Sequence, residues 1–335
     1  MSLRKILSLI FLLFTSYARA NCYLDTNFSP NQTLTLPPIT IKIDAGAADT
    51  SAPIYSATTA TLGQKISWIN CEAGYKLGRN VYNLTGHDPA TNTYATNIPG
   101  IRIKPLYSNG AGFGIFPREQ VGPCGDLDPN QKCRINIPPQ SYFKIEFIKT
   151  SEKLQLKNKD GDIVLPAGDT LYYWIEFDTP SNHSLKLYMN EVRIVSTPVC
   201  RVSDSINIDY NLITSSSLTS AGLEKELNFY ANCKTDYGTY SATAYINTDT
   251  PSSNSRYIKV KDADGSMDKL AIKIKNSKGE EMLLNNPQSF EMKSSNNSGS
   301  TANFNWKAVL FPVTPGIRPA NGVFKATAQI TLDIN

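Results

Sequence analysis

The sequence predicts an all-β chain made of two β-sandwich domains. Three observations predict it. Runs with apolar residues on every second position recur from Thr33 to Ile334, the period of half-buried strands. Turn residues punctuate the runs at Asp44-Ala45-Gly46, Asn109-Gly110, Asp160-Gly161 and Asp264-Gly265,. No stretch keeps a helical period, and short strands at such spacing point to sandwiches.

From the N-terminus, Arg4 and Lys5 precede an apolar run, Ile6 to Phe14, and then Ala18-Arg19-Ala20. This is the order of a secretory signal peptide, 1–20. The apolar run is too short to span a bilayer, which needs ~20 residues. Removing Arg4, Lys5 and Arg19 takes the formal net charge from +4 to +1. No Lys/Arg cluster stands ready to neutralise a row of phosphates, so nucleic acid is not an expected partner. Six cysteines in an exported chain read as three disulfides. Many pairings are open; order along the chain favours Cys22–Cys71, Cys124–Cys133 and Cys200–Cys233. None lies in a CxxC pair, and neither histidine has zinc-ligand spacing to a cysteine.

The length suggests two domains, divided near Thr197-Pro198 into 21–197 and 198–335. The first half offers strands at Thr33–Ile43, Lys65–Cys71, Ile101–Tyr107, Ser141–Lys149, Thr170–Phe177 and Leu185–Val195. The second offers Ser205–Tyr210, Glu226–Cys233, Tyr240–Asn247, Leu270–Ile274, Asn305–Phe311 and Gly322–Ile334. Ser215–Thr219, Ser294–Ser300 and Tyr107–Cys133 read as exposed loops. The last mixes Tyr107, Phe113 and Phe116 with polar groups, the composition of a recognition surface,.

The tail alternates most strictly. Phe324, Ala326, Ala328, Ile330, Leu332 and Ile334 are apolar; Lys325, Thr327, Gln329, Thr331 and Asp333 lie between. No partner strand follows before Asn335. An edge with one apolar face and unpaired backbone groups aggregates unless another chain completes it.

Several segments together resemble the two-domain tip adhesins of chaperone–usher fimbriae. Pro198-Val199-Cys200-Arg201-Val202 and Leu227-Asn228-Phe229-Tyr230-Ala231-Asn232-Cys233 are similar to the cysteine-bearing strands of the family's pilin domain, and Gly322 precedes the alternating tail as it does there. Ile334 departs from the family's usual penultimate Tyr while keeping the alternation. Leu62 to Cys71 and Tyr94 to Ile101 are similar to segments of the receptor-binding domain.

The resemblance implies two immunoglobulin-like sandwiches. The first, 21–197, would be a lectin-like receptor-binding domain. The second, 198–335, would be an incomplete pilin domain completed by a donor strand that contacts Phe324, Ala326, Ala328, Ile330, Leu332 and Ile334. The implied partners are a periplasmic pilus chaperone, an outer-membrane usher, an adjacent pilin subunit and a host-surface glycan or glycoprotein. The implied location is the extracellular fimbrium tip, reached through the periplasm. With 1–20 removed, Cys22 would follow Asn21 at once, leaving no donor extension, so the subunit is expected to cap the tip. A structural minor pilin or tip adaptor with no receptor of its own is the alternative.

Receptor contacts are expected from two groups that combine aromatics with polar side chains: His87, Asp88, Asn92 and Tyr94, and Phe113, Phe116 and Arg118, with Asp126 and Asp128 nearby in sequence. No enzyme is expected. The only histidines are His87 and His183, no GxSxG occurs, and the cysteines are expected to be oxidised,. The carboxylate pairs Glu176/Asp178 and Asp126/Asp128 read as solvated positions rather than glycosidase acids,. Asp126-Leu127-Asp128-Pro129-Asn130 lacks the Gly and the bidentate Glu of a calcium loop, so neither a metal nor a cofactor is expected,.

Overall fold

The computed structural model describes residues 22–28, 31–46, 48–214 and 217–335. The expected signal peptide and Asn21 lie outside the described residues, as do two residues of the Ser215–Thr219 loop. The described chain is all-β. It divides into two compact units. The first takes the described residues up to Ile41, with Asp49–Thr150 and Ile163–Ile194; the second takes Lys42–Ala48, Ser151–Asp162 and Val195–Asn335. All three expected disulfides are present: Cys22–Cys71, Cys124–Cys133 and Cys200–Cys233.

The chain up to Thr197 carries β1 (Tyr23–Leu24), β2 (Gln32–Leu36), β3 (Ile39–Asp44), β4 (Tyr55–Thr58), β5 (Ile66–Cys71), β6 (Lys76–Val81), β7 (Tyr94–Ala95), β8 (Ile101–Ser108) and β9 (Phe113–Ile115). It continues with β10 (Arg118–Val121), β11 (Asp126–Leu127), β12 (Cys133–Ile137), β13 (Tyr142–Lys149), β14 (Asp162–Leu165), β15 (Gly168–Ile175), β16 (His183–Met189) and β17 (Val192–Thr197). They form sheets ordered β10-β6-β15-β16-β2, β4-β13-β8-β7 with β9 on β8, β1-β5-β12-β11, and β14-β17-β3. Strict alternation in β13 buries Phe143, Ile145 and Phe147 completely.

Three differences from the sequence reading have local causes. Thr33–Ile43 splits into β2 and β3 at Pro37-Pro38, where proline has no N–H for a ladder. Leu185–Val195 splits at Asn190, whose side chain donates to the Leu36 carbonyl at 2.8 Å. Tyr107–Cys133, expected as a loop, is partly strand: β9 pairs with β8, β10 with β6 and β11 with β12. Its apolar and polar residues alternate over spans too short to register as a period.

The second unit holds β18 (Val199–Val202), β19 (Leu223–Lys234), β20 (Tyr240–Asn247), β21 (Ile258–Val260), β22 (Leu270–Lys275), β23 (Glu291–Ser295), β24 (Thr301–Pro312) and β25 (Gln329–Ile334). The sheets are β18-β19-β24-β22-β21 and β23-β20-β25. Their inward faces alternate and make one core,. Phe229 stacks on Phe304 at 4.7 Å, and Trp306 meets Phe229 edge-on at 4.9 Å. The Trp306 indole N–H donates to Glu291 Oε2 at 2.6 Å, so this fully buried ring has its polar atom satisfied,. Asp236 binds further segments into this unit. Its Oδ1 accepts from Leu154 N at 2.8 Å, its Oδ2 from Ser196 Oγ at 2.6 Å, and its carbonyl from Leu156 N at 2.9 Å.

The tail is strand only over Gln329–Ile334, paired antiparallel with β20. Before it, a single bridge joins Lys325 to Lys261. Gly322 turns the chain in at φ 142°, and a Cβ there would come within 2.6 Å of the Ala263 Cβ,. Ser205–Tyr210, expected as a strand, belongs to none. Alternation specifies which face is apolar, but ladder bonds also need a neighbour, and these two stretches border a groove instead.

Candidate functional site

The groove lies within the second unit and has a volume of about 780 Å³. One rim is Val202–Ile208 with Tyr210; the other is Phe324–Ala328 with Ile330 and Leu332. The floor is core: Leu227, Phe229, Ile246, Ile258, Ile272, Ile274 and Ala308. Tyr210 fixes the first rim through its hydroxyl, which donates to the Ala308 carbonyl at 2.9 Å. The second rim is held from outside, where Thr248 Oγ1 donates to the Thr327 carbonyl at 2.9 Å. Ala326 and Ala328 are exposed, while Phe324, Ile330, Leu332 and Ile334 are half-buried. Five of the six expected strand-contact residues therefore line the groove; Ile334 packs on the core beside it. The groove thus has an apolar floor between two rims that carry both apolar and polar residues.

The fimbrial protein family matches residues 189–335. The groove lies within the residues that this family matches. Among solved structures, the chain is similar to the receptor-binding domain of the MrkD1P adhesin of Klebsiella pneumoniae, at 17% identity over 56% of this chain and 99% of that one, TM-score 0.36. It is also similar to the CupB6 tip adhesin of Pseudomonas aeruginosa, at 11% identity over 93% and 94%, TM-score 0.37. A third similarity is to the CsuC–CsuE chaperone–tip subunit complex of Acinetobacter baumannii, at 11% identity over 93% and 100%, TM-score 0.37. A comparison with curated proteins by sequence finds no match.

In the first unit, the expected receptor residues fall into separate places. His87 lies against Tyr94 at 4.8 Å between ring centroids. Tyr94 is buried, which pushes its hydroxyl up to about 12. Asp88 accepts from Thr91 Oγ1 at 2.7 Å and Ala90 N at 3.0 Å, and these bonds hold its carboxyl below the usual range. With Asn92 at φ 53°, this is a self-satisfied turn,. Asp128 is 3% exposed and accepts from the backbone N–H groups of Asn70, Asn130 and Lys132 at 2.8, 2.8 and 3.0 Å. Burial raises its carboxyl, but these N–H groups outweigh that and hold it low. It pins two loops rather than offering oxygens to a ligand. Asp126 is exposed and accepts from Asn136 Nδ2 at 2.9 Å.

Phe113 and Arg118 come together at a second concavity of about 270 Å³, which also takes in Arg79, Tyr107, Asn109, Gln120 and Tyr173. Phe116 is fully buried and does not line it. Its ring lies 6.0 Å from the Arg79 guanidinium and packs at 6.2 Å on Phe143, so hydrophobic burial takes it into the core beneath the concavity. Phe113 is exposed, with Tyr142 edge-on to it at 6.0 Å and Lys144 Nζ at 5.2 Å. Arg79 and Tyr173 escaped the sequence reading. Gly78-Arg79-Asn80 breaks the alternation of β6, and the one available signal was a glycine beside an arginine, the mark of close backbone approach in a strand.

Proposed function

We propose that this protein is a fimbrial tip adhesin. The groove of the second unit carries the reading: core side chains floor an open groove of about 780 Å³, with the alternating tail as one wall. A donor strand seated there supplies main-chain bonds to both rims and buries alternate side chains against Phe229, Ile246 and Ile274,. A periplasmic chaperone supplies the strand first, and an adjacent pilin subunit replaces it at the outer-membrane usher. The working location is the extracellular fimbrium tip. The unit ahead of the fimbrial domain binds a host-surface glycan or glycoprotein. No catalytic step is assigned.

The test is co-expression of the full chain with the chaperone of its own fimbrial system, followed by binding of the purified complex to host cells. Recovery of a one-to-one complex that binds cells supports the proposal. A complex that binds no cell type across a broad panel favours a structural subunit. A chain that accumulates folded with no helper contradicts strand acceptance.

A further inference from the structure

We propose that the concavity over Arg79 receives the acidic group, carboxylate or sulfate, of a host glycan, with Arg79 and Arg118 holding the anion. This rests on the adhesin reading above and names the ligand class.

β10 pairs with β6 so that Arg118 stands directly opposite Arg79, and β15 sets Tyr173 directly opposite Arg79 on its other side. Directly paired residues share one face of a sheet, and like charges so placed repel. Among the described residues neither guanidinium has an ion pair, and no carboxylate lines the concavity. The neighbouring acid, Glu119, lies one residue along β10, on the opposite face, where it binds Lys76 at 2.6 Å,.

The aromatic contacts do not account for Arg79. Its guanidinium carbon is 5.6 Å from the Tyr107 ring centroid and 6.0 Å from that of Phe116, at the outer limit of ~6 Å for cation–π attraction. Burial pushes this arginine below its usual pKa, and Arg118 adds to that against the opposing effect of Tyr173 and Tyr107. The backbone nevertheless makes room for it. A methyl group at Gly114 would overlap the Arg79 guanidinium, and one at Gly78 would overlap the Arg118 carbonyl and the Trp174 indole.

Two guanidinium forks on directly paired positions, Arg79 half-withdrawn from water and Arg118 exposed, neither with an ion pair among the described residues, match the planar geometry of carboxylate or sulfate,. Tyr107, Tyr173 and Phe113 offer ring faces and edges to a sugar, and Asn109 and Gln120 offer neutral hydrogen-bonding groups to its hydroxyls. The volume of about 270 Å³ lies just below the ~300–1,000 Å³ typical of ligand pockets,, a size that suits one terminal sugar rather than an extended peptide.

The experiment titrates the purified mature chain, in complex with its chaperone, with 3′-sialyllactose, lactose 3′-sulfate and unmodified lactose. At least one acidic sugar is expected to bind about tenfold or more tighter than lactose. Preference for only one of them identifies carboxylate or sulfate as the source. Arg79→Gln is expected to abolish the preference and Arg79→Lys to restore part of it. Without ligand, Arg79→Gln is expected to melt at or above the parent temperature, because a like-charge contact is gone. The proposal is overturned if neither acidic sugar exceeds lactose, if Arg79→Gln leaves the preference intact, or if Arg79→Gln melts several degrees lower. It is also overturned if a poly-glutamate peptide competes as well as sialyllactose, which would assign the cavity to acidic protein. Host-cell binding that survives Arg79→Gln unchanged keeps the adhesin reading and rejects this cavity. An acidic-sugar preference without any cell binding does the reverse.

Discussion

Replacing Ile330 by alanine removes apolar carbon atoms from the tail wall of the fimbrial groove, where the side chain is half-buried. At ~0.8 kcal/mol per buried CH2, the lost atoms are worth ~2.4 kcal/mol when fully covered. Half-covered, as in this structure, they are worth ~1.2 kcal/mol. A strand seated in the groove completes the cover, so the remaining ~1.2 kcal/mol appears only in the complemented state. Ile330→Ala is therefore expected to weaken capture of a donor peptide by close to tenfold, beyond its modest effect on the unfilled fold. The assay is titration of the mature chain with a synthetic peptide carrying apolar side chains at alternate positions, read by fluorescence anisotropy. Thr331→Ala is the control. Thr331 does not line the groove, and its hydroxyl accepts from Asn247 Nδ2 at 3.1 Å. It is expected to cost fold stability and leave donor affinity unchanged. Equal donor affinity for Ile330→Ala and the parent, or equal loss for both variants, refutes the reasoning.

Three other outcomes are expected. Leu332→Asp sets a charge against the groove floor and is expected to abolish recovery of the chaperone complex, with the chain degraded in the periplasm; normal recovery on pull-down contradicts this,. Glu291→Leu leaves the buried Trp306 indole N–H without an acceptor and is expected to cost about 1–3 kcal/mol in urea unfolding, against a near-neutral effect for a surface change,. Burial raises the Glu291 carboxyl, yet Lys293, Ser277 and Trp306 together hold it below its ordinary value. A carboxyl lowered on folding gives stability that is present above its unfolded pKa and lost as pH falls through the folded one. The urea midpoint is therefore expected to drop as pH is lowered past ~4, with a shallower drop in Glu291→Gln; parallel pH profiles would remove Glu291 from the explanation.

Much of the second unit was legible because its signals are local. The tail repeats one period from Phe324 to Ile334, and Cys200 and Cys233 face each other in register on β18 and β19. The tail's boundary was not legible. Phe324–Ala328 carries the same pattern as Gln329–Ile334, and the difference lies in which stretch finds a partner in β20. Ser205–Tyr210 failed as a strand for the same reason. The Arg79 concavity was legible only in fragments. Phe113 and Arg118 stood out by composition, whereas Arg79 and Tyr173 reach the cavity through pairings of β6 with β10 and β15, which are far apart along the chain. Phe116 and Asp128 show the limit of composition. An aromatic and an acid in a polar loop look like ligand contacts, yet one fills the core and the other satisfies buried backbone N–H groups.

Hydrogen exchange on the mature chain, with and without an alternating donor peptide, tests strand acceptance most directly. Amides of 204–210 and 326–328 are expected to exchange fast in the free chain and to slow markedly with peptide bound, while β19 and β24 stay protected throughout. Bound peptide with both rims still exchanging fast, or rims already protected without it, would contradict a sandwich that borrows its last strand.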